Sequence, residues 1–237
     1  TYTYLIGDVN TGQAVLIDPV IATMDRDLAE VHKLGLKLAY TVDTHIHADH
    51  ITAALEMKRT VGSKIAAPAY DRLACADVGL EEGIPFELDG ITLQPLHTPG
   101  HTAGHFAYLY NDRVFTGDAL LIDGCGRTDF QHGDADALYN SVRQKLFSLP
   151  DETLVYPAHD YKERFVSSIA QEKKRNPRLG GDTTIEEFRA IMNNLDLPYP
   201  KFIDHAVPGN QQCGVCPEDL PNNLAEYCRQ MTQSPQG

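Results

Sequence analysis

Short apolar runs broken by turn residues dominate the first two thirds of the chain, and helix-period runs are inserted among them. Tyr2-Thr3-Tyr4-Leu5-Ile6 and Ala14-Val15-Leu16-Ile17 predict two strands joined through Asp8-Val9-Asn10-Thr11-Gly12, a β-hairpin. Met24, Leu28, Val31 and Leu34 recur every three or four positions, with Thr23 as cap and Gly35 beyond, and predict a helix. Leu36 to Thr44 reads as a strand. A second helix pattern starts at Asp49, with Ile51, Ala54, Leu55 and Lys58 on adjoining positions and Gly62 past its end. Further strands are predicted at Lys64–Ala67, Ile91–Leu96, Ala107–Tyr110, Val114–Thr116 and Leu154–Tyr156. Between the last two, Leu138, Val142, Leu146 and Leu149 mark a helix with Asp134 and Asp136 in its first turn. The final third is more helical. Phe165 to Arg175 predicts a helix stopped by Asn176-Pro177, and Thr184-x-x-Glu187 is a capping box for a helix reaching about Leu195. Beyond Pro198 the proline and glycine density predicts an irregular tail that wraps the domain.

The chain has 237 residues, enough to bury roughly three quarters of its unfolded surface. The expectation is one α/β domain over 1–237, helical and irregular from about residue 165. The formal charge of −13 disfavours phosphate backbones and anionic membranes. Neither an apolar run near 20 residues nor a secretory leader is visible, and Thr1 in place of Met is compatible with a segment removed before it. Five cysteines, an odd number, suggest free thiols in a reducing compartment over a disulfide framework. Cys213-Gly-Val-Cys216 has redox-type spacing, but it lies away from any predicted helix start, so the thiols read as structural.

The candidate chemistry is concentrated in four loops. His45-Ile-His47-Ala-Asp49-His50 follows a predicted strand, and His45 and His47, two apart, leave it on one face. His101 lies in Thr98-Pro-Gly-His-Thr-Ala-Gly-His105, Asp118 follows Phe115-Thr-Gly, and His159 sits in Tyr156-Pro-Ala-His-Asp-Tyr161. Imidazoles and carboxylates brought together need hydrogen-bonding or metal partners. Three histidines suit zinc or iron, and the carboxylates leave room for a second, harder ion. His32, His97, His105, His132 and His205 read as ordinary histidines.

This set of motifs resembles the metallo-β-lactamase superfamily, which implies an αββα sandwich with a metal site at the sheet ends. Carried over, that pattern groups His45, His47 and His101 around one metal and Asp49, His50 and His159 around another, with Asp118 bridging. Gly117-Asp-Ala-Leu-Leu121, Gly124-Cys-Gly-Arg-Thr-Asp-Phe130, the His159 segment, and Ala206-Val-Pro208 with Cys213-Gly214 are similar to the persulfide dioxygenases. That resemblance implies one Fe(II) on His45, His101 and Asp118. His47, Asp49, His50 and His159 would then be catalytic groups hydrogen-bonded around it. Arg127, Tyr161 and Arg178 are implied as substrate contacts, Arg127 through paired bonds to a glutathione carboxylate. A cysteine at 213 also belongs to the family pattern, which gives that thiol a modulating role. The implied reaction turns glutathione persulfide, O2 and water into sulfite and glutathione, in a homodimer, cytoplasmic in a bacterium and in the mitochondrial matrix of a eukaryote. The alternative is a glyoxalase-II-type thioester hydrolase. Against it, the chain has Pro157-Ala-His-Asp-Tyr161 where that family has a Cys-Gly-His-Glu-Tyr-like segment, and its tail lacks a basic cluster.

Overall fold

The computed structural model describes residues 1–218, 220 and 228, which divide into two compact units. The first is built from Thr3–Ala67, Asp71–Gly79 and the chain from Tyr199 onward. Its hairpin, β1 (Tyr4–Asp8) and β2 (Gln13–Ile17), is antiparallel as the turn residues require. Helix α1 (Met24–Lys33) carries the chain back to β3 (Lys37–Val42), and α2 (Ala54–Val61) carries it to β4 (Lys64–Pro68). Both crossovers produce parallel pairs, β2 with β3 and β3 with β4, as connections of this length do. The sheet ends with β5 (Val78–Leu80), in the order β1-β2-β3-β4-β5. Ile17 and Val42 are register partners, so Asp18 and Asp43 leave neighbouring strand ends side by side. Leu16, Met24, Val31, Leu38 and Met57 pack into the core between this sheet and its helices.

The second unit comprises Thr1–Tyr2, Pro68–Tyr70 and Leu80–Pro198. Strands β6 (Phe86–Leu88), β7 (Ile91–His97), β8 (Phe106–Tyr110) and β9 (Arg113–Gly117) form an antiparallel meander. Helix α3 (Ala135–Asn140) starts on Asp134, whose side chain accepts from Ala137 N at 2.7 Å, and runs on through a wider turn at Ser141–Lys145. Its buried residues Leu138, Val142 and Leu146 share a core with Ala107, Val114 and Val155. Truncating Leu138 or Leu146 to alanine would cost about 2–5 kcal/mol. The crossover makes β10 (Leu154–Pro157) parallel to β9, and β11 (Ser167–Ser168) closes the sheet, in the order β11-β10-β9-β8-β7-β6. Helix α4 (Ile169–Arg175) ends at Asn176-Pro177 as expected, and α5 (Ile185–Asn193) has the complete Thr184/Glu187 capping box. Last, α6 (Ile203–Asn210) belongs to the first unit.

Several expectations are corrected. Helix α2 begins at Ala54 and not at Asp49, because tertiary partners take the preceding backbone groups: Thr52 N donates to Asn210 Oδ1 and Ala53 N to Pro19 O, both at 2.9 Å. The helix expected from Phe165 starts four residues later. Asp160 draws the backbone nitrogens of Lys162 and Arg164 into a turn, Phe165 takes a positive φ, and Ser168 supplies the cap. The tail contains α6, with Pro208 inside it. Strands β5 and β6 have three residues each, too few for an alternating pattern to show. The cysteines depart furthest from expectation: Cys75 pairs with Cys213 and Cys216 with Cys228, and Cys125 is the free thiol, buried. The Cys213/Cys216 spacing is therefore no redox pair, since each sulfur is bonded elsewhere. Among the described residues no helix is long and apolar enough to cross a membrane.

Candidate metal centre

In the first unit the donors come from the irregular loop between β3 and α2. Asp18, delivered by the end of β2, organises its start. Its carboxylate accepts from Thr44 N at 2.7 Å, from Thr44 Oγ at 3.0 Å and from His47 Nε2 at 3.1 Å. The Thr44 hydroxyl spends its single proton on Asp18, so it accepts from His45 Nδ1 at 2.9 Å. That bond fixes the His45 tautomer and leaves Nε2 as a lone-pair donor. The His45 and His47 rings lie 4.1 Å apart and those of His47 and His50 4.3 Å apart, all buried. Asp49 is the exposed member of the motif, with Oδ1 at 3.1 Å from His50 Nδ1. His47, Asp49 and His50 each present a donor atom within 4.8 Å of the others, as do Asp18, Asp43 and His47.

Charge is distributed unevenly here. Burial works against a charged His47 ring, but Asp18, with help from Asp49 and Asp43, outweighs it and holds the pKa at about 9. His50 goes the other way, lowered by burial and then by the His47 charge, which leaves it a neutral imidazole. Burial pushes the Asp43 carboxyl up to about 7, against the pull of His47 and of the Thr52 hydroxyl at 3.1 Å.

In the second unit, the sheet brings two donors together directly. Gly117 and Pro157 are register partners at the ends of β9 and β10, and Ala158 N donates to Gly117 O at 2.9 Å. Asp118 and His159 follow those ends, and His159 Nε2 lies 3.7 Å from Asp118 Oδ1. His101 comes from the loop joining β7 and β8, with Nε2 at 3.4 Å from Asp118 Oδ2. Its Nδ1 is 2.7 Å from the Arg127 carbonyl, an oxygen that only accepts, so Nε2 is again the lone-pair nitrogen. Gly126 permits this approach: a Cβ there would lie 2.6 Å from Asp118 O and 2.8 Å from His101 Nδ1. Asp118 Oδ1 is buried and has no hydrogen-bond partner among the described residues. A lone-pair imidazole nitrogen beside a buried carboxylate oxygen without a hydrogen-bond donor is a set that could hold a metal ion.

The residues expected at substrate are placed as follows. Arg127 sends Nε and Nη2 to Asp129, both at 2.6 Å, and Nη1 to Pro198 O at 2.8 Å. Its paired bonds are thus engaged with Asp129. Tyr161 is 85% exposed and not a core tyrosine, and its ring lies parallel to that of His159 with centroids 6.0 Å apart. Arg178 donates through Nη1 to Cys125 O at 2.9 Å. Two further residues of the site escape a reading of the sequence. His105, which reads there as ordinary, is fully buried and accepts from Asp118 N. Asp18 carries no signal beyond its place after an apolar strand.

The profile of the metallo-beta-lactamase superfamily matches residues 1–159, and the chain belongs to that superfamily. Its two mixed sheets with connecting helices are the fold expected of a member. Within the superfamily the likeness is to the persulfide dioxygenases. The chain is 48% identical over 217 residues to the mouse mitochondrial persulfide dioxygenase ETHE1, covering 91% of this chain and 85% of that one. The crystal structure of ETHE1 from Myxococcus xanthus superposes with a TM-score of 0.88 at 54% identity, over 90% of this chain and 94% of that one. The hydroxyacylglutathione hydrolase of Methylococcus capsulatus is 34% identical over 175 residues, 71% of this chain and 66% of that one.

Proposed function

We propose that this chain is a persulfide dioxygenase that converts glutathione persulfide, O2 and water into sulfite, glutathione and two protons. The observation that carries the reading is the likeness to persulfide dioxygenases, which spans almost the whole chain at a level that the thioester hydrolase does not reach. The fixed tautomers of His45 and His101 and the partnerless oxygen of Asp118 support one Fe(II) held by these three residues. Fe(II) supplies the redox chemistry with dioxygen that zinc lacks, and a facial triad leaves positions for substrate.

The remaining residues work around that triad. His159 orients the Asp118 carboxylate. His47, held charged by Asp18, steadies the loop and supplies positive charge beside an anionic substrate, while neutral His50, held at Nδ1 by Asp49, keeps its other ring nitrogen as an acceptor. Arg127 holds a glutathione carboxylate in exchange for Asp129, with Tyr161 and Arg178 as further contacts to the glutathionyl part.

The test is to strip the metal, reload separately with Fe(II) and zinc, and follow dissolved oxygen and sulfite after adding glutathione persulfide. Oxygen uptake by the iron form alone is expected. Equal uptake by the zinc form would overturn the dioxygenase reading, and rapid thioester cleavage by that form would favour the hydrolase.

A further inference from the structure

The loop from Asp43 to Ala53 lies between the end of β3 and the start of α2, and of its later residues Ile51 O and Ala53 N are paired with Ile21 N and Pro19 O, both at 2.9 Å, around an isolated bridge between Val20 and Thr52. Buried backbone groups elsewhere in such a segment must be paired by other means. At the middle of the loop a single side chain meets the need. Asn210, the last residue of α6, is buried and donates through Nδ2 to the carbonyls of His47 and His50, both at 2.8 Å. Its Oδ1 accepts from Thr52 N at 2.9 Å. All three bonds fall on backbone atoms of the loop itself, from His47 to Thr52.

The clasp is itself anchored. Leu55 N in the first turn of α2 donates to Cys213 O at 3.0 Å, and Cys213 N donates to Asn210 O at 3.0 Å. Cys213 is tied by its disulfide to Cys75. Gly214 lies so close to the loop, at φ +101°, that a Cβ would stand 2.1 Å from Thr52 O. The segment that carries Asn210 is thus fixed to α2 by hydrogen bonds and to the chain before β5 by a covalent bond.

We infer that Asn210 is a positioning residue for the metal-donor loop: its carboxamide sets the backbone of His47 to Thr52, and with it the presentation of His47 and His50 and the path by which the chain leaves His45. The inference rests on the reading that this loop holds metal. Among polar side chains of this size, only a carboxamide offers two protons to the two carbonyls and an oxygen to the amide at once. An aspartate keeps the acceptor and loses both donors, and a serine is too short to span the three groups.

Metal-depleted wild-type protein, Asn210→Asp and Asn210→Ser are titrated with Co(II), whose visible absorption reports donor geometry, and their thermal midpoints are recorded. Folded variants with a Co(II) dissociation constant raised about 10–100-fold and an altered spectrum are expected, in the range found when groups supporting metal ligands are removed. Iron-loaded variants should lose kcat while KM is held. Folded variants with wild-type Co(II) affinity and spectrum would overturn the inference. So would failure of both variants to fold, which would make Asn210 a core residue only. If the wild-type protein takes up no Co(II), the metal reading itself fails, an outcome separate from the other two.

Discussion

The ring of His105 accepts a hydrogen bond at Nε2 from the backbone nitrogen of Asp118, at 3.1 Å, and its Nδ1 lies 2.8 Å from Thr98 Oγ. Nε2 can accept only if the proton is on Nδ1, so the buried ring is neutral and its tautomer is fixed. Replacing His105 with phenylalanine would leave the Asp118 N–H buried and unpaired, at a cost of about 1–3 kcal/mol. Denaturant unfolding of the metal-free protein should show that loss, and metal affinity should fall with it. A stable variant with full metal affinity would mean that Asp118 does not depend on His105.

His101→Ala and His47→Ala should differ in iron content. His101 is proposed as a ligand, and its loss should empty the site. His47 is bonded to Asp18, and its loss should leave most of the iron in place. Metal analysis of both purified variants decides: equal loss would end the assignment of three protein ligands.

Arg127 and Asp129 form a pair that can be tested from both sides. Arg127→Ala should raise the apparent KM for glutathione persulfide, by about 1.5–3 kcal/mol for a lost charge-assisted bond. Arg127→Lys should not restore it, because a point charge cannot reproduce paired bonds. Asp129→Ala frees the guanidinium and should hold or lower KM. Equal damage from the alanine variants, also with a small persulfide lacking carboxylates, would place Arg127 in the structure of its loop.

Burial pushes the Asp71 carboxyl from 3.8 to about 6, and its Oδ2 has no hydrogen-bond partner among the described residues. The folded state therefore binds this proton more tightly than the unfolded chain. Its contribution to stability is complete below about pH 4 and is lost as pH rises through about 6. Asp71→Asn removes that dependence. At pH 8 the variant should be more stable by about 1–2 kcal/mol, a value reduced for partial exposure, and the difference should vanish near pH 4. Thermal midpoints at both values check it, and an equal gain at both would exclude charge as the cause.

The donor motif was legible because four of its residues lie within six positions, His45 to His50, and because the other donors follow strands with clear apolar runs. Strands β2, β3 and β7 to β10 were legible for the same reason. The start of α2 was not: the group that delays it, Asn210, lies 158 residues from Thr52. His105 was illegible because nothing local separates a histidine that holds a backbone nitrogen from one that fills space. Cys75 and Cys213 are 138 residues apart, and only the fold brings them together.

That long-range bond gives the molecule the covalent topology of a lasso. Residues 75 to 213 form a closed ring that includes His101, Asp118, Arg127 and His159, while His45 to His50 lie on the strand leading into it. A single proteolytic nick inside the ring opens it without releasing a fragment. On an electrophoresis gel the nicked protein keeps its mass until a reductant is added, and then separates into two pieces.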